Sequence, residues 1–208
     1  MDKHSLIEKL KAQGITSDAV LAAMEKVPRE AFVQPVFLEE AYGNYPLPIG
    51  HEQTISQPYI VARMTELLLT PLTHNVLEIG TGSGYQAAVL SELVAEVYTI
   101  ERIEPLLIEA KDRFKKLKYT NIHTLFGDGH LGWPEKSPFD AIMVTAATKE
   151  TPPALLDQLA ENGRLLLPLG IPGHSQQLQL IIRKGKTFDY ETYDPVTFVP
   201  LLTGRTTE

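Results

Sequence analysis

The sequence contains no cysteine and no long apolar run. The absence of cysteine excludes disulfides, zinc–thiolate sites and cysteine nucleophiles. No apolar run approaches the roughly 20 residues that a membrane-spanning helix needs. The first residues, Met-Asp-Lys-His-Ser, lead into an amphipathic run rather than a signal-peptide pattern. We therefore expect a cytoplasmic protein with no membrane partner.

Positive charge is also scarce, since 19 Lys and Arg face 26 Asp and Glu and give a net charge of −7. Binding to phosphate backbones normally leaves a basic surface, so we expect no nucleic-acid partner. The six histidines show no metal-ligand spacing, and we expect no metal. With 43% hydrophobic and 22% charged residues in 208, the chain has the balance of one globular domain, which we expect to be monomeric.

The order of hydrophobic patterns indicates the fold class. Residues 3–27 read as two short helices, and 58–69 as a third helix after a segment rich in proline and glycine. From residue 75 onward, strands alternate with helices. The predicted strands are 76–79, 97–100, 122–126, 139–144, 164–168 and 177–182, and the predicted helices are 85–93, 105–117 and 153–160.

This alternation predicts an α/β fold with a doubly wound, mainly parallel, Rossmann-like sheet of seven strands. The tail over residues 187–202 is β-like and is expected to close one edge of the sheet. The absence of repeats and low-complexity linkers favours a single domain over residues 1–208. It comprises N-terminal helices in 1–70, an α/β core in 75–183 and a β-rich tail in 187–208.

A glycine turn, Glu78-Ile79-Gly80-Thr81-Gly82-Ser83-Gly84, stands between a strand and a helix. Ligands of open α/β sheets bind outside the carboxyl ends of such strands. Glu101 ends the next strand about 20 residues later, at the place where an acidic residue grips ribose hydroxyls. Asp128, in Gly127-Asp128-Gly129 after the third strand, either reaches an adenine amino group or forms a simple Asp-Gly turn.

The spacing of these residues distinguishes between cofactors. A dinucleotide fingerprint requires Gly-x-Gly-x-x-Gly, whereas Tyr85 occupies the place of the third glycine here. Glu78 is unfavourable beside a pyrophosphate and suits a cationic ligand. S-adenosylmethionine carries both a sulfonium and an ammonium group. The residues therefore favour S-adenosylmethionine over a dinucleotide.

The glycine turn and its partners resemble those of class I methyltransferases. Residues 47–58, Leu-Pro-Ile-Gly-His-Glu-Gln-Thr-Ile-Ser-Gln-Pro, are similar to the signature of protein-L-isoaspartate O-methyltransferases. Similar stretches recur in the same order over roughly residues 25–203. They are Arg-Glu-Ala-Phe-Val at 29–33, the segments at 127–129 and 132–134, Phe-Asp-Ala-Ile-Met-Val-Thr-Ala-Ala at 139–147, and Phe-Val-Pro-Leu-Leu at 198–202.

The resemblance implies a methyltransferase that uses S-adenosylmethionine and acts on isoaspartyl peptides and proteins. It places Ser56 at the reacting centre. The residues implied for substrate binding are Gln53, Thr54, Ile55, Ser56, Val199, Leu201 and Leu202. Those implied for the cofactor are Glu78, Ile79, Gly80, Thr81, Gly82, Ser83, Gly84, Glu101, Arg102, Gly127, Asp128, Gly129 and Thr145.

Two points remain open on the residues alone. Ser56 either orients a substrate carboxylate or caps the helix that begins near Pro58, and the two roles are compatible. Glu52 stands where the family usually has glycine, which predicts a strained loop or repulsion of an anionic substrate. The alternatives are another class I methyltransferase, an inactive cofactor-binding protein, and, disfavoured by the glycine spacing, a nicotinamide-dependent oxidoreductase.

Overall fold

The computed structural model describes residues 2–171 and 174–208. The helices are α1 (Lys3–Ala12), α2 (Asp18–Lys26), α3 (Pro58–Leu68), α4 (Tyr85–Ser91), α5 (Glu104–Lys116) and α6 (Pro153–Asp157). The strands are β1 (Leu47–Gly50), β2 (Gln53–Ile55), β3 (Asn75–Ile79), β4 (Glu96–Glu101), β5 (Ile122–Phe126), β6 (Phe139–Val144), β7 (Leu159–Leu169), β8 (Gln176–Lys184) and β9 (Thr187–Val196). Short 3₁₀ helices lie at Arg29–Phe32, Pro35–Glu40, Gly129–Leu131 and Pro134–Lys136.

Seven strands form one sheet in the order β5-β4-β3-β6-β7-β8-β9. The strands from β5 to β7 are parallel, and β8 and β9 are antiparallel additions. This arrangement confirms the predicted mainly parallel seven-stranded sheet, with the tail strand at its edge. The chain order reverses beside β3, because β4 lies on one side of it and β6 on the other. Such a switch point is where doubly wound sheets bind ligands.

The central strands are buried on both faces, as a sheet covered by helices on each side requires. Val76 and Met143 face a core shared with α1 to α5. Leu77 and Ile142 face a second core, to which α6 contributes Leu155. The strand ends that carry the glycine turn are therefore held by packing on both sides.

The structure differs from the sequence-based expectation where α6 meets β7. The predicted helix over 153–160 ends at Asp157, and the chain has become a strand by Leu159. Leu159 pairs with Phe139 of β6 and is 1% exposed. Gln158 follows the end of the helix, and its side chain accepts a hydrogen bond from the Trp133 N–H and donates one to the Leu131 carbonyl. These long-range contacts override the helical spacing of the leucines.

A hairpin of β1 and β2 was not predicted from the sequence. It is too short and too rich in proline and glycine to show a strand pattern. It matters because it delivers residues 53–56 to the carboxyl edge of the main sheet. None of the helices in residues 2–171 and 174–208 combines the length and apolarity that crossing a membrane requires.

Candidate active site

A cavity with an open mouth lies at the carboxyl ends of β3, β4 and β6. Its wall combines residues from distant parts of the chain: Gln53, Thr54, Ile55, Ser56, Val61, Ile79, Gly80, Thr81, Gly82, Ser83, Tyr85, Gln86, Ile100, Glu101, Arg102, Ile103, Gly129, Thr145, Ala146, Val199, Pro200, Leu201 and Leu202. The cavity thus brings together most of the predicted cofactor residues and all of the predicted substrate residues.

The glycine turn follows β3 with three left-handed residues, at φ +99° for Gly80, +51° for Gly82 and +90° for Gly84. A Cβ on Gly80 would lie 2.4 Å from the Thr145 hydroxyl, and one on Gly84 would lie 2.7 Å from the Phe114 ring. These two glycines allow close packing inside the protein. Gly82 differs, because the nearest atom to an added Cβ is 3.4 Å away and the residue lines the cavity.

Glu101 is held in one orientation at the end of β4. One carboxylate oxygen accepts from the N–H groups of Arg102 and Ile103, both at 2.9 Å. The other oxygen accepts from the N–H of Gly82 at 2.8 Å. The side chain is 5% exposed and lines the cavity. A carboxylate oxygen has further lone pairs, so Glu101 is oriented to accept from ligand hydroxyl groups.

Glu78 lies beneath the glycine turn, and it is absent from the described wall of the cavity. It is fully buried, and burial raises the pKa of its carboxyl group to about 8. One oxygen accepts from the Thr99 hydroxyl, which also contacts the Thr81 hydroxyl at 2.6 Å. The other oxygen has no hydrogen-bond partner among the described residues. Glu78 therefore lies behind the turn, and its contact with the cofactor stays a prediction.

Asp128 and its neighbours occupy the end of β5. Asp128 lies outside the cavity wall, and its carboxylate accepts from the N–H groups of His130 at 2.9 Å and Gly204 at 2.6 Å. Burial alone would raise the pKa of Asp128, but these hydrogen bonds outweigh it and lower the pKa. The Asp-Gly turn is therefore present, and contact with adenine stays a prediction. Gly129 does line the cavity, where an added Cβ would lie 2.3 Å from Ile79.

Ser56 follows the hairpin, and its backbone rather than its side chain is anchored. Its hydroxyl makes no hydrogen bond to any residue of the described chain, while its carbonyl accepts from Arg29 at 2.9 Å. Of the two roles left open for Ser56, capping of α3 is excluded, because the N-cap residue is Gln57. A residue outside α3 bonds the first turn of the helix instead, because the Asn44 side chain accepts a hydrogen bond from the Tyr59 N–H at 2.9 Å. The hydroxyl of Ser56 is left available to a ligand in the cavity.

The C-terminal segment forms the remaining wall. The Val199 carbonyl accepts from the Ala147 N–H, and the Leu201 N–H donates to the Ala147 carbonyl, both at 2.7 Å. Further along, the Thr206 N–H donates to the Arg102 carbonyl at 2.8 Å. The segment therefore crosses the ends of β6 and β4 and covers the cavity with apolar side chains.

Several cavity residues were not predicted as site residues. Tyr85, Gln86, Ile103 and Ala146 all line the wall. Tyr85 and Gln86 begin α4 directly after the glycine turn, so their position along the chain was a usable signal. Ile103 and Ala146 follow strand ends and have no chemical signature in the sequence.

Glu52 occupies the turn of the hairpin in a left-handed conformation at φ +57°, next to His51 at +50°. Its side chain is exposed. Non-glycine residues pay about 1–2 kcal/mol in this region. The strain that the resemblance led us to expect at Glu52 is therefore present.

Among the described residues, no group of three or more His, Asp or Glu side chains is arranged to hold a metal ion.

Comparison with known proteins supports a single assignment. The sequence profile of the family "Protein-L-isoaspartate(D-aspartate) O-methyltransferase (PCMT)" matches residues 1–206. A protein-L-isoaspartate O-methyltransferase from Hahella chejuensis is 54% identical over 200 residues, which cover 96% of this chain and 94% of that protein.

Two solved structures agree. One, a protein-L-isoaspartate O-methyltransferase, has a TM-score of 0.86 and 30% identity over 96% of this chain, which spans 65% of that chain's length. The other is a Plasmodium falciparum protein described as a protein-L-isoaspartate O-methyltransferase, in complex with S-adenosyl-L-homocysteine. Its TM-score is 0.84 with 29% identity, covering 97% of this chain and 99% of that chain. The chain belongs to the protein-L-isoaspartate (D-aspartate) O-methyltransferase family.

Proposed function

We propose that this chain transfers the methyl group of S-adenosylmethionine to the side-chain carboxylate of L-isoaspartyl residues in damaged proteins, which initiates their repair. Family membership over residues 1–206 supports the reaction. The assignment of roles to residues rests on the shared cavity, in which Ser56 and the hairpin face the glycine turn. Such a two-sided site brings a methyl donor and a carboxylate acceptor together.

The residues of the cavity fit S-adenosylmethionine. Glu101 presents an oriented carboxylate for ribose hydroxyls, and Gly82 leaves open space for the ligand beside it. Buried Glu78 has one oxygen without a hydrogen-bond partner among the described residues, behind the turn. We assign cofactor binding to these residues together with the rest of the turn over 78–84, Arg102, residues 127–129 and Thr145.

The bound cofactor supplies a methyl group activated by a sulfonium. A carboxylate acceptor with a pKa near 4 is already ionised at neutral pH, so the reaction needs no strong general base. The task of the protein is to align the acceptor oxygen and exclude water. We assign the alignment to the Ser56 hydroxyl, which donates a hydrogen bond to the carboxylate. Gln53, Thr54 and Ile55 on one side and Val199, Leu201 and Leu202 on the other hold the substrate.

The proposal extends to the setting of the reaction. We infer that the chain works as a monomer in the cytoplasm on isoaspartyl peptides and proteins, without nucleic acid. The net charge of −7 supports the last point. We also infer one domain over residues 1–208, with the substrate loop in 1–70 and the cofactor core in 75–183.

The decisive experiment measures methyl transfer from radiolabelled S-adenosylmethionine to two peptides that differ only in L-isoaspartate or normal aspartate. We expect base-labile label on the isoaspartyl peptide alone. Label on both peptides would indicate a carboxyl methyltransferase of different specificity. Cofactor binding without label on either would indicate another substrate or an inactive binding protein.

A further inference from the structure

The largest fully buried side chain of the described residues is the cation Arg29, at 0% exposure. It is the first residue of the 3₁₀ helix Arg29–Phe32, and it does not line the cavity. No carboxylate pairs with it among the described residues, and its Nη1 has no hydrogen-bond partner there. Burial of a charge without a counter-ion is costly, so its retention needs a reason.

The guanidinium joins three parts of the molecule, namely the segment at Ala41, the loop at Ser56 and the start of α4 at Tyr85. Its Nε donates to the Ala41 carbonyl at 2.8 Å, and its Nη2 donates to the Ser56 carbonyl at 2.9 Å. Its Cζ lies 4.7 Å from the centre of the Tyr85 ring, in a cation–π contact. Ser56 and Tyr85 both line the cavity. Arg29 therefore fixes two cavity residues from behind.

The sign of its charge has a separate consequence. Arg29 lies behind Ser56, on the side where the substrate carboxylate is proposed to bind, and its Nη2 lies 2.9 Å from the Ser56 carbonyl oxygen. The charge of a buried group is weakly screened by solvent and salt. The cation therefore favours an anion at the Ser56 end of the cavity.

We propose that Arg29 is a positioning residue for methyl transfer, which locks the Ser56 loop through its fork and attracts the substrate carboxylate through its charge. This inference rests on the proposed function. The two contributions separate experimentally, because lysine keeps the charge and loses the fork, whereas methionine keeps only the apolar stem.

The test compares Arg29→Lys and Arg29→Met with the wild-type chain, using the isoaspartyl peptide. For Arg29→Lys we expect a KM for peptide within about twofold of wild type and a kcat lowered at least about fivefold. For Arg29→Met we expect KM raised at least about fivefold and kcat lowered at least about tenfold. The Kd for S-adenosylhomocysteine, measured by calorimetry, stays within about twofold in both variants.

Arg164→Met is the matched control. Arg164 also donates to a backbone carbonyl, that of Leu67 at 2.8 Å, and also has a buried unpaired nitrogen, but it does not line or adjoin the cavity wall. We expect a lower melting temperature with kinetic constants within about twofold of wild type.

Wild-type kcat in Arg29→Lys overturns the role of the fork, whether or not Arg29→Met folds. Wild-type KM in a folded Arg29→Met overturns the role of the charge. If Arg164→Met loses as much kcat and raises KM as much as the Arg29 variants do, Arg29 has only a structural role. A parallel loss of S-adenosylhomocysteine affinity in the Arg29 variants leads to the same conclusion. An inactive wild-type chain that binds S-adenosylhomocysteine refutes the proposed function instead.

Discussion

At the scale of single residues, the polar groups at the cavity differ in whether they already have hydrogen-bond partners within the protein. All three N–H bonds to Glu101 are in place before any ligand arrives. The Ser56 hydroxyl and one oxygen of Glu78, by contrast, have no partner in the described chain. Preoriented groups bind ligands without a large ordering cost, and unsatisfied ones gain most from a ligand. The sequence could predict Glu101 from its spacing to the glycine turn, but it could not predict which polar groups lack a hydrogen-bond partner.

Ser56→Ala tests the orienting role of the hydroxyl. We expect kcat for the isoaspartyl peptide to fall about tenfold or more, because a donor aimed at the reacting carboxylate is lost. The Kd for S-adenosylhomocysteine should stay unchanged, since the backbone anchor at the Ser56 carbonyl remains. Ser91→Ala is the control, because it removes a hydroxyl bonded only to the Ala88 carbonyl of α4. Wild-type turnover in Ser56→Ala would remove this serine from the mechanism.

Glu78→Gln tests the buried carboxyl group. Its folded-state pKa of about 8 lies above its ordinary value of 4.5, so the folded state binds a proton that the unfolded state releases. Its contribution to stability is therefore full below about pH 4.5 and is lost as pH rises to about 8. We expect the wild-type free energy of unfolding to fall relative to Glu78→Gln by up to about 1.4 kcal/mol per pH unit in that window. Urea unfolding of both proteins from pH 5 to 9 measures the difference, and parallel curves would contradict it.

At the scale of elements, strands with buried neighbours on both sides were predicted to within a few residues. β3 and β6 are mainly apolar and almost fully buried, which is the pattern of a parallel sheet covered on both faces. The N-terminal part of β7 was missed because the spacing of Leu155, Leu156 and Leu159 is helical, and only pairing with Phe139 shows that Leu159 belongs to a strand. A local sequence pattern does not predict the secondary structure of a segment whose conformation is decided by pairing with a strand distant in sequence.

The hairpin of β1 and β2 shows the same limit at the site itself. Residues 53–56 were assigned to the substrate by resemblance, and their position in the cavity is consistent with that prediction. No periodicity revealed the hairpin, whose register is irregular between Pro48 and Gly50. The sequence pattern could not reveal the role of Arg29, because an arginine in a polar stretch gives no sign of being fully buried.

Glu52→Gly tests the hairpin turn. Relief of the left-handed strain is worth about 1–2 kcal/mol, and the added freedom of glycine in the unfolded chain costs about 0.5–1 kcal/mol. We expect a net stabilisation of about 0.5–1 kcal/mol in urea unfolding. Glu52→Gln keeps the strain and should match wild-type stability within about 0.5 kcal/mol. If Glu52 repels the substrate, both variants lower the peptide KM at low salt, and an unchanged KM in both would show that only the backbone effect operates.

At the scale of the whole molecule, the cavity joins segments that are far apart along the chain. Residues 53–56 after the hairpin turn, 79–83 of the glycine turn and 199–202 of the C-terminal segment all contribute to its wall. The hairpin shares a hydrophobic core with the N-terminal helices, and the C-terminal segment lies across strand ends. We expect a ligand in the cavity to contact all three segments, so that its binding free energy stabilises the fold as a unit.

This linkage gives a prediction that also separates the cofactor classes. A ligand that binds only the folded state stabilises it by about 2.7 kcal/mol at 100 times its Kd. We expect saturating S-adenosylhomocysteine to raise the melting temperature by several degrees, and NAD at the same concentration to leave it unchanged, because Tyr85 stands where a dinucleotide site needs glycine. Hydrogen exchange should slow in 80–84 and in 199–206 together. Protection confined to the turn would mean that the C-terminal segment does not close over the ligand, and a shift with NAD alone would reverse the cofactor assignment.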